Sequence, residues 1–326
     1  MQINDINDEG LRLLANLAQH YGAWRDAARQ TAEGRLAWKT VSDRQYLYRI
    51  VDSKGNGKSL GPRSPENEAL FESDQIARQT EKRAWDNVLQ DGALYRALRL
   101  PRIASFAGEI LRELDIESML GSPGVLVVGT NAMAAYAIEA TALLPTHIDA
   151  TKDFDLTWVA NEDRTPYDPT LFGALKKVDS TYTINAERTF QARNADGEEV
   201  ELLLPESLKR AFPRHERFRP IPLPEQDWLL PGTRVDHVAC GMDGKPARIV
   251  APDPRWFALH KRWLSRKPSR DRLKVTKDEE QGLLLLDLVR SRMPRFPLDA
   301  AFRQSLPPEL VPWFDDWARS RAIALD

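Results

Sequence analysis

Two neighbouring stretches decide the fold: VLVVGTNAMAAYAIEA (Val125–Ala140) and ATKDFDLTW (Ala150–Trp158). The first opens with four apolar residues, a short continuous run typical of a strand that is covered on both faces. A Gly-Thr pair and a helical stretch follow. The second stretch again has the pattern of a buried strand, yet it contains Asp153 and Asp155. Because a buried strand tolerates carboxylates badly unless a cation neutralises them, we predict that a divalent metal binds here.

Composition narrows the class of protein. The chain has 326 residues, enough for two domains or one elaborated domain, and 42% of them are hydrophobic, which argues against general disorder. A formal net charge of −2 means that any surface for nucleic acid must be local. The single cysteine, Cys240, excludes an internal disulfide framework and a zinc site built from clustered cysteines.

The N-terminus, MQINDINDEGLRLL, carries acids where a secretory signal needs bases. We also find no run of about 18 uncharged apolar residues, the length that a membrane span needs. We therefore expect a cytoplasmic protein with no membrane partner.

The order of helical and strand patterns predicts an α+β fold, a mixed sheet with flanking helices. In the first region we expect a helix over residues 5–34, a β-hairpin that breaks at Gly-Asn-Gly, and a helix with Ser64 as its N-cap. In the second we expect a helix from Asn131 to about Leu144 and further strands after the Asp pair. The predicted regions are 1–121, mostly helical with the hairpin; 122–251, the core; and 252–326, a C-terminal helical region with a basic helix.

The Asp pair has strand spacing. Residues i and i+2 of a strand point to the same face, so Asp153 and Asp155 can share one divalent cation. Glu199 and Glu201 likewise share a face of a later strand, GEEVELLLP. If that strand lies beside the first, Glu201 completes a three-carboxylate site, while Glu199 is better explained as a solvated residue; which of the two is the third carboxylate stays open.

Two other features suit a phosphate. Gly129-Thr130 follows a strand and opens a helix, where backbone amides and a hydroxyl can bind an anion, although an ordinary tight turn explains the pair as well. Residues 255–277 contain nine Lys or Arg and one acid, and we select Lys261 and Arg266 as phosphate ligands. The same basic face could instead be solvated or bind an RNA backbone. His260 alone is more often a packed histidine than a catalyst.

Together, VVGTNAMAAYA, TKDFDL, VELL and the downstream PDPRWFALHKRWLSRKPSRDRLKVTKDEEQ resemble the DNA polymerase β nucleotidyltransferase superfamily and, within it, a bacterial group called nucleotidyltransferase family 8. The resemblance covers roughly residues 125–290. Two positions depart from the superfamily pattern: Thr130 stands where Gly or Ser is usual, and Glu201 where Asp is common.

The resemblance implies a catalytic and metal-binding set of Asp153, Asp155 and Glu201, with two Mg²⁺ ions for which Mn²⁺ can substitute. It also implies that Gly129, Thr130 and Asn131 bind the nucleotide. The expected reaction transfers a nucleoside monophosphate from an NTP such as ATP to an unidentified hydroxyl acceptor, with RNA, tRNA or protein as candidates. The alternative is a catalytically degenerate nucleotide- or RNA-binding regulatory module. A toxin-like transferase with a toxin–antitoxin partner is a third reading.

Overall fold

The computed structural model describes residues 3–51, 54–121, 124–144, 153–159, 170–214 and 216–323. Within them, the helices and strands mix as expected for an α+β fold. In chain order the elements are β1 (Asn4–Asp5), α1 (Asp8–Thr31), β2 (Arg35–Val41), β3 (Arg44–Ile50), β4 (Gly57–Pro62), α2 (Pro65–Ala97), β5 (Arg102–Ile103), α3 (Ser105–Ile116), β6 (Gly124–Val127), α4 (Ala132–Glu139), β7 (Ala142–Leu143), β8 (Asp153–Val159), α5 (Leu171–Val178), β9 (Thr183–Ile184), β10 (Gln191–Arg193), β11 (Glu199–Pro205), β12 (Ile221–Leu223), β13 (Val235–Gly241), β14 (Pro246–Ala251), α6 (Pro254–Leu264), α7 (Arg272–Arg292), α8 (Ala300–Ser305) and α9 (Val311–Ser320).

The central sheet is mixed, with strand order β6-β8-β11-β10-β9 and β12 paired to β11. β8 runs parallel to β11 and antiparallel to β6. All four residues of β6 are buried, as its continuous apolar run predicts. This sheet carries the acidic residues, so its register decides which carboxylates meet.

A second, smaller sheet, β14-β13-β5, lies behind the first. Helices α3 and α4 pack on β13 and β14, and β14 also contacts β6. One large hydrophobic core therefore runs from α3 through both sheets to α6, α7 and α9. In the part of the chain that the structure describes, no helix combines the length and apolar character needed to cross a membrane.

The N-terminal region differs from its prediction in one respect. The hairpin is part of a three-stranded sheet, β2-β3-β4, because the chain reverses twice. The first reversal is a two-residue turn at Ser42 and Asp43, both with positive φ, a turn type that a Gly-based search overlooks. The predicted N-cap is confirmed, since the Ser64 hydroxyl accepts a hydrogen bond from the Asn67 amide.

One predicted helix was wrong in its extent. The helix that opens at residue 131 stops at Glu139 rather than Leu144, since Thr141 has a positive φ of 49° and the chain then forms β7. The basic stretch 255–277 spans two helices. It belongs to α6 and α7, which are separated by a turn that contains Pro268, a residue that cannot continue a helix.

The boundary that we predicted between residues 121 and 122 falls at the edge of a described segment, because 122 and 123 lie outside it. Residues 1–121 also supply strands to other parts of the fold. β1 pairs with β7, and β5 pairs with β13.

Candidate functional site

The parallel pairing of β8 with β11 brings the acidic residues together. Asp155 is the register partner of Glu201, and Asp153 is the partner of Glu199. Since partners in a parallel ladder point to the same face, all four carboxylates lie on one face of the sheet. The register thus forms a compact acidic patch from segments more than forty residues apart in sequence.

Gly129 lies directly against one of these acids. Its φ is +67°, in the region that favours glycine, and a Cβ built there would fall 2.0 Å from Asp155 Oδ2. The Val128 amide also donates to the Asp155 carbonyl oxygen over 3.0 Å. Glycine is therefore required at position 129, because any side chain would displace the Asp155 carboxylate.

The surroundings of Asp155 disfavour the ionised form of its carboxyl group. Removal from bulk water and the nearby Glu201 charge raise its pKa to about 6, even though Lys261 and Lys274 act in the opposite direction. Among the residues that the structure describes, none donates a hydrogen bond to this carboxylate or forms a salt bridge with it. A cation from outside the chain would stabilise the ionised carboxylate.

Asp153 has a different environment, because the Lys274 ammonium lies 3.1 Å from its Oδ2. Both side chains are partly exposed, so this pair is worth at most about 1 kcal/mol and can open. Glu201 accepts a 2.7 Å hydrogen bond from the Gln191 amide, which orients its carboxylate.

The acids fit a hard divalent cation in part. Asp155 and Glu201 present carboxylate oxygens side by side, the donor type that Mg²⁺ prefers. As arranged here, however, the described residues contain no group of three or more His, Cys, Asp or Glu placed to hold a metal ion. Asp153 is paired with Lys274, so its carboxylate would have to exchange that contact to join the other two.

Asp155 and Glu201 open into a cavity of about 210 Å³. Gly129 forms part of the wall next to them, and four cationic side chains line the same cavity. The lining cations are Lys261, Lys267, Arg270 and Lys274. The cavity therefore combines paired carboxylates, a close backbone approach and positive charge, the features that a polyphosphate ligand with a metal requires.

Asp278 holds two of the cations in place. Lys261 Nζ donates to Asp278 Oδ1 over 2.7 Å, and Arg270 Nε donates to the other oxygen over 2.6 Å. Lys261 and Asp278 are both buried, so this carboxylate stabilises a charge that would otherwise be costly. Lys267 is held in the same way by the buried Glu225.

The other predicted nucleotide ligands lie around the cavity in different ways. Thr130 follows Gly129 but lies outside the cavity lining. Asn131 is buried, and its side chain links the Ala104 amide to the Asp153 carbonyl oxygen, at 3.5 and 3.4 Å. Arg266 is exposed beyond the end of α6, near Asp316, and does not line the cavity.

Sequence reasoning missed several residues of the site. Gln191 and Asp278 act through side-chain hydrogen bonds to Glu201, Lys261 and Arg270, and their residue types alone do not predict these contacts. Gln226 lines the cavity and was overlooked inside a proline-rich stretch. The one available signal was DRLKVTKDEE, where Asp278 follows a basic run on the same helix, one turn beyond Lys274.

Comparison with known proteins adds one positive finding. A family model described as Nucleotidyltransferase (NTP_transf_8) matches residues 105–307, which is more than half of the chain and includes both acidic strands and the cationic helices. No curated protein and no solved structure shows significant similarity to the chain.

Proposed function

The chain belongs to this nucleotidyltransferase family, and from that premise we propose that it transfers a nucleoside monophosphate from a nucleoside triphosphate to a hydroxyl acceptor. The reaction forms a bond between the acceptor oxygen and the α-phosphorus and breaks the bond to the bridging oxygen. Pyrophosphate leaves, and the hydroxyl proton passes to a carboxylate.

The in-register pair Asp155–Glu201, set in a cavity with cations, is the observation that carries this proposal. Mg²⁺, when bound by these carboxylates and by Asp153, would offset phosphate charge and favour ionisation of the acceptor hydroxyl.

The remaining groups bind and orient the substrate. Lys274, Arg270 and Lys267 offset the negative charge of the triphosphate, and Lys274 exchanges its contact with Asp153 for a phosphate oxygen. Gly129 lets the backbone approach the same phosphates. Glu201, oriented by Gln191, accepts the proton of the attacking hydroxyl.

The direct test measures transfer of radiolabelled nucleotide from each NTP to RNA, tRNA and protein acceptors in the presence of Mg²⁺. We expect Asp155→Asn and Glu201→Gln to lower transfer by roughly 100-fold or more, because each removes charge from the reacting centre. Glu199→Gln is the matched control. It removes a carboxylate from the same face of the same strand, but Glu199 does not line the cavity, and we expect little change. Equal activity of wild type and Asp155→Asn would contradict the proposal.

A second function has its own supporting observation. Lys274 pairs with Asp153, and a lysine ammonium at this carboxylate would suit a module that binds nucleotide or RNA without transfer. Tight Mg²⁺–NTP binding with no turnover on the full acceptor panel would favour this regulatory function over catalysis.

A further inference from the structure

The side chains that β11 contributes to the cavity change from acidic to apolar along the strand. Glu201 and Leu203 are two residues apart, so they share a face and lie about 6.5 Å from each other along the strand. Both line the cavity, and its wall also contains the apolar side chains of Leu223, Phe257 and Leu264. The cavity wall thus combines ionic and hydrophobic side chains.

Two polar side chains in this wall have unmet hydrogen-bonding capacity. His260 is 4% exposed and Gln226 is 3% exposed, and both line the cavity. Among the described residues, neither ring nitrogen of His260 nor the amide oxygen of Gln226 has a hydrogen-bond partner. Buried polar groups are nearly always satisfied, so an unsatisfied cluster beside a cavity indicates a missing ligand or water.

Packing holds the His260 ring in place. Trp228 meets it edge to face at 6.4 Å between ring centroids, and Trp228 in turn packs on Trp263 at 5.0 Å. A ring fixed in this way is pre-organised, because little side-chain entropy remains to be lost when a ligand binds.

We infer that this cavity contains a nucleobase subsite, in which His260 and Gln226 hydrogen-bond to the base edge while Leu203, Leu223 and Phe257 contact its faces. The inference rests on the proposed function only in placing a nucleotide in this cavity. A nucleobase suits the site because its faces are apolar and its edge carries adjacent donors and acceptors.

The protonation state of His260 agrees with this role. Burial and the nearby Lys261 charge lower its pKa to about 3, so the ring is neutral near pH 7. A neutral imidazole has one donor and one acceptor, and a glutamine amide offers both types as well. The subsite can therefore pair with a neutral base edge and adds no charge for phosphates.

Calorimetry with two classes of ligand tests the subsite. The full chain is titrated, with Mg²⁺ present, against non-hydrolysable analogues of the four NTPs and against inorganic tripolyphosphate, which lacks a base. The variants are His260→Phe and Gln226→Met, which keep an aromatic ring and the chain length, respectively, and remove hydrogen-bonding groups. His20→Phe on α1, outside the cavity lining, is the matched control, and thermal melting confirms that each variant folds.

Losing one buried hydrogen bond to the base should weaken nucleotide binding roughly tenfold in either variant and leave tripolyphosphate binding within about twofold of wild type. Wild type should also discriminate among the four bases, and the variants should lose that preference. Equal weakening for nucleotides and tripolyphosphate, unchanged nucleotide affinity in both variants, or failure of wild type to bind any nucleotide would overturn the inference. Nucleotide binding that is selective for a base but never leads to transfer would support the subsite and refute the proposed reaction. If His260→Phe fails to fold, Gln226→Met decides the question by the same criteria.

Discussion

Replacing Gly129 with alanine should separate the geometry of the acidic site from the stability of the fold. The backbone at this position has a φ of +67°, which costs an L-residue about 1–2 kcal/mol. The new Cβ would also lie 2.0 Å from Asp155 Oδ2, well inside the 3.4 Å of ordinary van der Waals contact. The neighbour is the end of a side chain rather than backbone, so the carboxylate can turn away, and it must move by more than an ångström.

A displacement of roughly 1 Å at a reacting centre can cost on the order of 100-fold in rate. We therefore expect Gly129→Ala to lower kcat/KM for nucleotide transfer about 100-fold, while the free energy of unfolding, measured by urea denaturation, falls by only about 1–2 kcal/mol.

Gly55→Ala is the matched control for this experiment. Gly55 has a similar φ of +81°, but a Cβ there would meet nothing within 4 Å. This variant should lose a similar free energy of unfolding and keep full activity. If both variants lost activity equally, or if Gly129→Ala kept wild-type activity, the close contact between Gly129 and Asp155 would have no functional meaning.

Three further predictions concern stability. Asp278→Asn should lower the free energy of unfolding by about 3–5 kcal/mol, since it leaves the buried Lys261 ammonium without its carboxylate; a loss below about 1 kcal/mol in denaturant titration would refute this. His260 has a folded-state pKa of about 3 against an ordinary 6.5, so the unfolded chain binds the extra proton, and wild type should lose up to about 1.4 kcal/mol per pH unit between pH 6.5 and 3. His260→Phe should remove that part of the acid sensitivity, and parallel pH profiles of the two proteins would count against a neutral buried histidine. Gly92→Ala, which in an open helix would stabilise, should instead destabilise by about 1–3 kcal/mol in thermal melting, because its Cβ would fall 1.9 Å from the Gly244 carbonyl oxygen.

Much of the acidic site could be predicted from local rules. The alternation of side chains along a strand puts Asp153 and Asp155 on one face, and the same rule separates Glu201 from the apolar residues next to it. The Ser64 cap and the Asp-Gly turn at Gly197, whose φ is 82°, follow from equally local chemistry. Such features depend on a few neighbouring residues, so a sequence alone contains them.

Other features depend on contacts between distant segments. The cations that line the cavity include Lys274 and not Arg266, because α6 ends at Leu264 and the following turn changes the direction of the chain. If Arg266 and Lys274 lay on one continuous helix, their side chains would point in other directions. The early end of α4 has a similar cause, since an apolar, alanine-rich run fits either a buried helix or the short strand β7 that pairs with β1.

The register between β8 and β11 also limits where the chain can tolerate insertions and deletions. A one-residue insertion inside β11 would turn every later side chain to the opposite face, so that acids would enter the hydrophobic core and leucines would replace them at the cavity. The loop from Asn194 to Glu198, which joins β10 to β11, lies outside that ladder. Descendants of this sequence should therefore accumulate insertions and deletions in that loop and almost none between residues 199 and 205.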